Sequence, residues 1–146
     1  AGSYPIQIWY FQAGEDRYGL IFKAKYLSPV MEDRIELNSE WLFNINSSIL
    51  NATATNLLIS EMSKLDFQNV KVLEIHGHTC SDGTEENNLK LSSKRAIAVQ
   101  NFIKNKFPSL AIETIAHGES QPKYNNLNDA EKIKNRRIEL VLKYKD

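Results

Sequence analysis

His76, His78 and Cys80 alternate through Ile75-His76-Gly77-His78-Thr79-Cys80, an imidazole–imidazole–thiol run. If one strand continued through all three, their side chains would share a side. Imidazole and thiolate are good zinc ligands, and His117, at a second strand end, would complete a set of four. The same residues offer a second chemistry, in which a neighbouring histidine activates Cys80 as a nucleophile. Against both, Gly77 is placed to end the strand, and the chain has one cysteine and no C-x-x-C pair. It also shows neither a local cysteine-hydrolase pattern nor an oxyanion hole. The sequence therefore assigns no metal, no cofactor and no catalytic group.

A third chemistry is recognition. Ser92 is a natural N-cap for a helix from about 92 to 106, which would put Arg95 on its first turn. From there the guanidinium could fold back toward the Thr79-Cys80 strand end and take a carboxylate in bidentate geometry. Asn88, just upstream, can both donate and accept, as an amide or zwitterionic ligand requires. Taken singly, Arg95 reads more readily as an exposed helix residue without a partner.

The elements that must position these groups follow from periodicity. Residues 4–27 read as a β-hairpin: Ile6–Phe11 and Tyr18–Ala24 are β-branched and aromatic, with a polar turn at 13–16. Both strands carry apolar residues on two faces, so the hairpin must pack onto something. Ser28-Pro29 breaks the pattern, and a short strand is expected around Arg34–Leu37. Asn46-Ser47-Ser48 could cap a helix from about 50 to 65, whose stripe is Leu50, Ala54, Leu57, Leu58, Met62 and Leu65. Val70–His76 is a central strand. The helix of Ser92 presents Ala96, Val99, Phe102 and Ile103 inward and stops at Pro108. Ala111–Ile115, a short helix over Asp129–Lys134 and a closing strand over Ile138–Lys143 complete the chain. Strands alternating with amphipathic helices predict an α+β fold: a mixed β-sheet with helices packed on one face, plus the N-terminal hairpin extension.

The 146 residues suit one compact unit. Lys plus Arg and Asp plus Glu balance at 18 each, so no overall field attracts nucleic acid or an anionic membrane. Neither a signal peptide nor an apolar run long enough to span a bilayer is present. Ala1-Gly2-Ser3 reads as a cloning scar, which leaves room for an export signal or membrane anchor ahead of the chain. The organisation expected is residues 1–3 as scar, 4–34 as β extension and 35–146 as the domain proper.

Four segments, in order, resemble the OmpA-like peptidoglycan-binding domain shared by outer-membrane anchors, Pal lipoproteins and MotB-type stator subunits. That pattern runs G-H-T-D, a polar loop, N-x-x-L-S-x-x-R-A, G-x-G-E-x-x-P and N-R-R-[IV]-x-[IV]. Here it stands as Gly77-His78-Thr79-Cys80, Asn88 to Ala96, Ala116-His117-Gly118-Glu119-Ser120-Gln121-Pro122, and Asn135-Arg136-Arg137-Ile138-Glu139-Leu140. Leu42-Phe43-Asn44-Ile45 to Leu50 resembles the family's first strand and its entry into the first helix, so the likeness covers about residues 35–143.

The resemblance implies a ligand, the zwitterionic diaminopimelate of the peptidoglycan stem peptide. Its ammonium pairs with the aspartate of G-H-T-D and its carboxylate is clamped by the arginine of R-A. Arg95 matches that arginine and Asn88 the pocket asparagine. Thr79 and the loop after Cys80 would add hydroxyl and backbone contacts, and Arg136 would lie near the same pocket. Asn135 and Arg137 could instead tie the last helix to the closing strand. Cys80 departs from the pattern, since an ordinary thiol is a few per cent ionised at neutral pH where aspartate is fully charged. Asp82 is either a substitute anion or part of a solvated acidic loop with Glu85 and Glu86. Ala116, in place of the first glycine, is a milder departure.

The function implied is non-catalytic: binding peptidoglycan and anchoring a larger, membrane-anchored envelope or stator protein in the periplasm of a Gram-negative-type bacterium. In that reading the N-terminal hairpin could serve dimerisation, as a homodimer, or docking; the alternative, supported mainly by Cys80, is a degenerate OmpA-like domain serving protein interaction or dimerisation without wall binding.

Overall fold

Val70-Lys71-Val72-Leu73-Glu74-Ile75 alternates branched apolar with charged residues, and in the computed structural model it forms the central strand of a sheet. Residues 11–13, 20–22 and 32–145 are described. By Cα proximity the chain divides into Ala1–Glu32 and Asp33–Asp146. In the first unit β1 (Phe11–Ala13) and β2 (Leu20–Phe22) pair antiparallel, with Phe11 opposite Phe22. The remainder of the expected hairpin lies outside the described residues.

Then follow β3 (Glu32–Asn38), whose first residue closes the first unit, and in the second unit α1 (Ser39–Leu42), α2 (Ala52–Ser63), β4 (Val70–His78), α3 (Glu85–Lys106), β5 (Ile112–Gly118), α4 (Asp129–Asn135) and β6 (Arg137–Tyr144). Its sheet has the order β3-β6-β4-β5, with β4 parallel to β5 and antiparallel to β6. The fold is therefore the expected mixed α+β type. Period-2 alternation sends Leu73 and Ile75 of β4 and Ile138, Leu140 and Leu142 of β6 to one face. There they meet Ala54, Leu58 and Met62 of α2 and Ala96, Val99 and Ile103 of α3. Leu50, Leu57, Leu65 and Phe102 pack partly buried around them. Each fully buried Leu or Ile contributes roughly 1.5–3 kcal/mol, so this face supplies the main hydrophobic stabilisation.

Three boundaries differ from expectation, for local reasons. The second long helix begins at Glu85, seven residues before Ser92, because Thr84 is the N-cap: its Oγ1 accepts from Asn87 N, and Glu85 and Glu86 complement the helix dipole. Ser92 is instead fully buried in mid-helix, where its hydroxyl donates to Leu89 O and accepts from Gly118 N. Asn51, not Asn46–Ser48, caps α2, accepting from Ala54 N at 2.9 Å. β4 also continues through Gly77 to His78 rather than stopping at the glycine.

A loop between β5 and β6 is held by one amide. Asn135 is fully buried; its Oδ1 accepts from Lys123 N (2.9 Å) and Tyr124 N (3.0 Å), and its Nδ2 donates to Tyr124 O and Asn126 Oδ1 (both 2.8 Å). Arg137 adds bonds to Asn135 O and Gln121 O, so both residues tie α4 and the loop to β6. Asn135→Ala leaves two backbone N–H groups and a carbonyl unsatisfied, and is expected to cost about 3 kcal/mol in urea unfolding. A loss under about 0.5 kcal/mol would show that water replaces the amide without penalty.

Candidate functional site

The end of β4, the first three turns of α3, the short α1 and the loop after it enclose a pocket of about 660 Å³. All six residues singled out from the sequence (Thr79, Cys80, Asp82, Asn88, Arg95 and Arg136) line it. Asn88 and Arg95 are seven residues apart on one continuous helix, which places them two turns apart on the same face. Arg95 thus sits beyond the first turn, contrary to the expectation built on Ser92 as cap.

Arg95 is 5% exposed, and its Nε donates to Ser47 O at 2.9 Å. The guanidinium carbon lies 5.2 Å from the centroid of the Phe43 ring. Burial, and then the charge of Arg136, hold its pKa below the usual guanidinium value, yet an arginine remains charged at neutral pH. Among the described residues it has no carboxylate partner, so a buried cation faces the pocket uncompensated.

The opposite wall is a small charge network. Arg136 donates from Nη2 to Glu40 Oε1 (3.3 Å) and from Nη1 toward Cys80 Sγ (3.7 Å), with Asp82 Oδ2 at 3.8 Å. Asp82 Oδ1 accepts from Lys132 Nζ at 2.7 Å. That bond, the largest influence, and the nearby Cys80 thiol hold the Asp82 carboxyl below its ordinary range. Asp82 is therefore not an idle loop residue but half of an exposed ion pair. Asn88 is similarly committed, donating from Nδ2 to Cys80 O and Glu119 Oε2, which fixes the loop over α3. Thr79 N donates to Gly118 O at 2.8 Å, while the Thr79 hydroxyl is buried without a protein partner among the described residues.

Ser39, Glu40, Phe43 and Asn44 also line the pocket and were not singled out from the sequence. A four-residue helix capped by Asn38 positions the first two, and so short an element leaves no periodic signal. Asn38 followed by Ser39-Glu40 was the readable trace, a cap with an acidic first turn.

The histidines go elsewhere. In β4, Glu74, His76 and His78 occupy the face opposite Leu73 and Ile75, and His117 joins them from β5. Cys80 is not among them; it leaves the strand and turns to the pocket. His76 Nδ1 lies 2.8 Å from His117 Nε2, and His76 Nε2 lies 2.9 Å from Glu74 Oε2. The His78 ring stacks on His117 with centroids 4.6 Å apart. Burial, then the charge of Arg137, pushes the His78 pKa down to about 3, and burial followed by His76 lowers that of His117. Beside them Arg137 Nε donates to Glu139 Oε1 at 2.8 Å, and Arg34 also pairs with Glu139. Burial alone would raise the Glu139 carboxyl, but the Arg137 bond and charge hold it lower.

Comparison with known proteins places this geometry. The OmpA family profile matches residues 42–136. The outer-membrane lipoprotein YfiB of Pseudomonas aeruginosa is 28% identical over 129 residues, covering 82% of this chain and 77% of that protein. The peptidoglycan-associated lipoprotein of Brucella melitensis is 28% identical over 89 residues, 60% of this chain and 53% of the lipoprotein, so the chain spans about half of it. Among solved structures, the cell wall anchor of the T6SS from Pseudomonas aeruginosa superposes with a TM-score of 0.64 at 20% identity, covering 78% of this chain and 82% of that one. That last likeness is one of fold.

Proposed function

Because the chain belongs to the OmpA family, we propose that its pocket binds the diaminopimelate of peptidoglycan stem peptides and holds a larger envelope protein to the cell wall. The chain is not an enzyme. The observation that carries the binding proposal is Arg95, a nearly buried guanidinium facing a ligand-sized pocket without a carboxylate of its own. Leaving such a charge buried and unpaired is costly, and a ligand carboxylate relieves that cost with a bidentate, charge-assisted bond. The relatives named for peptidoglycan association and for the outer membrane support the same reading, and with it a periplasmic location.

Cys80 stands where the family's aspartate would receive the ligand's ammonium. Its thiol lies against Arg136 and beside Asp82, whose carboxylate is held by Lys132. The anionic half of the subsite is weakened, while the cationic half is intact. Cys80→Asp is therefore expected to tighten binding of a diaminopimelate-containing muropeptide by roughly tenfold, since a charge-assisted bond contributes about 1.5–3 kcal/mol, less the rearrangement of Arg136. Titration followed by amide shifts reads this directly. Shifts at Asn88 and Arg95 support wall binding. Their absence at millimolar muropeptide would refute it and leave the domain as an interaction or dimerisation module. Among the described residues no helix is long and apolar enough to cross a membrane.

A further inference from the structure

We propose that His76, His78 and His117 form a binding site for a divalent transition-metal ion of the zinc type, on the sheet face opposite the helices. The site shares no residue with the pocket. These are the chain's three histidines, contributed by two adjacent strands, and one ring nitrogen of each lies within 4.8 Å of the others. Two tetrahedral zinc ligands at about 2.0–2.1 Å stand roughly 3.3 Å apart. The His76 Nδ1 to His117 Nε2 separation of 2.8 Å must therefore open by about half an ångström, while the widest pair, up to 4.8 Å apart, must close and the stacked His78 and His117 rings must turn toward one point. In the metal-free protein these two nitrogens of His76 and His117 lie within hydrogen-bond distance of each other.

Two further observations point to a ligand. Glu74 holds the outer nitrogen of His76 at 2.9 Å, so Nδ1 is the nitrogen turned to its neighbours. A carboxylate behind an imidazole is the usual support of a metal-binding histidine, fixing its ring and raising its basicity. His78 is 2% exposed, and neither of its ring nitrogens has a hydrogen-bond partner among the described residues. Glu139 Oε1, at 3.8 Å from His78 Nε2, is beyond bonding distance and already engaged by Arg137. A buried nitrogen without a partner is unfavourable, and coordination satisfies it. Arg137 is the opposing charge, and its bond to Glu139 limits its repulsion of the ion. An all-nitrogen set disfavours calcium and magnesium and suits zinc, nickel or copper.

The test is calorimetric titration of Zn²⁺ into the chelator-stripped full chain. The proposal expects one ion per chain with Kd below about 10 μM, weakened at least tenfold by His117→Ala. Should that variant misfold, the wild-type protein still decides the matter. With three histidines in the sequence, Zn²⁺ must move all three ring Cε1–H signals together. No binding at 100 μM ion (about ten times the expected ceiling), unchanged affinity in the variant, or static ring signals would overturn the site. A thiolate charge-transfer band with Co²⁺ would do the same, by assigning the ion to Cys80.

Discussion

Arg95→Ala is expected to weaken muropeptide binding by roughly 10- to 100-fold, the largest effect of any single change in the pocket. A bond between ionised partners contributes about 1.5–3 kcal/mol, and about 1.4 kcal/mol is a decade of affinity. Part of the change is structural, because Arg95 also bonds Ser47 O and covers the Phe43 ring. The variant should therefore lose about 1–2 kcal/mol of stability, separable by urea unfolding alongside the titration. Arg95→Lys distinguishes charge from geometry. A lysine keeps the charge but not the planar fork, so it should recover only a fraction of the affinity. Unchanged affinity in Arg95→Ala would remove the carboxylate clamp from the proposal, whatever the stability of the variant.

The position of that guanidinium was legible in the sequence, though for a different reason from the one first apparent. Asn88 and Arg95 stand seven apart, which on a helix means one face, and Thr84-Glu85-Glu86 announces a helix beginning before both. Ser92 has the composition of a cap but fills the packed strand–helix contact, where its hydroxyl accepts from Gly118 N. Tertiary packing overrode a local preference there. The sheet was readable because β-branched runs with period 2 have few alternative uses, whereas α1 is too short for any period to appear.

Side-chain destinations were harder to foresee. His76, His78 and Cys80 follow the alternation of one strand in sequence, yet β4 ends at His78, so the thiol parts from the imidazoles. His117 joins them, as its place at a second strand end suggested, through parallel pairing of β5 with β4 across 41 residues of sequence. Asp82 gave no sign of its partner. Lys132 lies 50 residues on, at α4, and pairs with that carboxylate at the protein surface.

The pocket depends on how closely β4 approaches α3, and Gly77→Ala is expected to show it by a destabilisation of about 3 kcal/mol or more. A Cβ at Gly77 would lie 2.3 Å from Ser92 O and 3.0 Å from its carbonyl carbon, both backbone atoms of the helix. Neither can rotate away. Ser92 is fully buried and bonded to Gly118, whose φ of +55° and 3.0 Å approach of its own absent Cβ to Leu89 N close the second strand on the same helix. The helix must therefore move as a body, at a cost typical of overpacking, about 1–3 kcal/mol and more where backbone is displaced. Such a shift would also carry Arg95 away from the Thr79-Cys80 end of β4, so surviving folded protein should bind muropeptide poorly. Gly83→Ala supplies the contrast. Its φ of +94° is unfavourable for alanine, but the nearest atom is the Asn88 side chain at 3.8 Å, so about 1–2 kcal/mol of backbone strain is all that should appear. Equal losses in the two variants would mean that conformation rather than close packing governs both glycines. A Gly77→Ala protein as stable as wild type would show that the helix yields freely, and the pocket's geometry would then be softer than the contact of Gly77 with Ser92 requires.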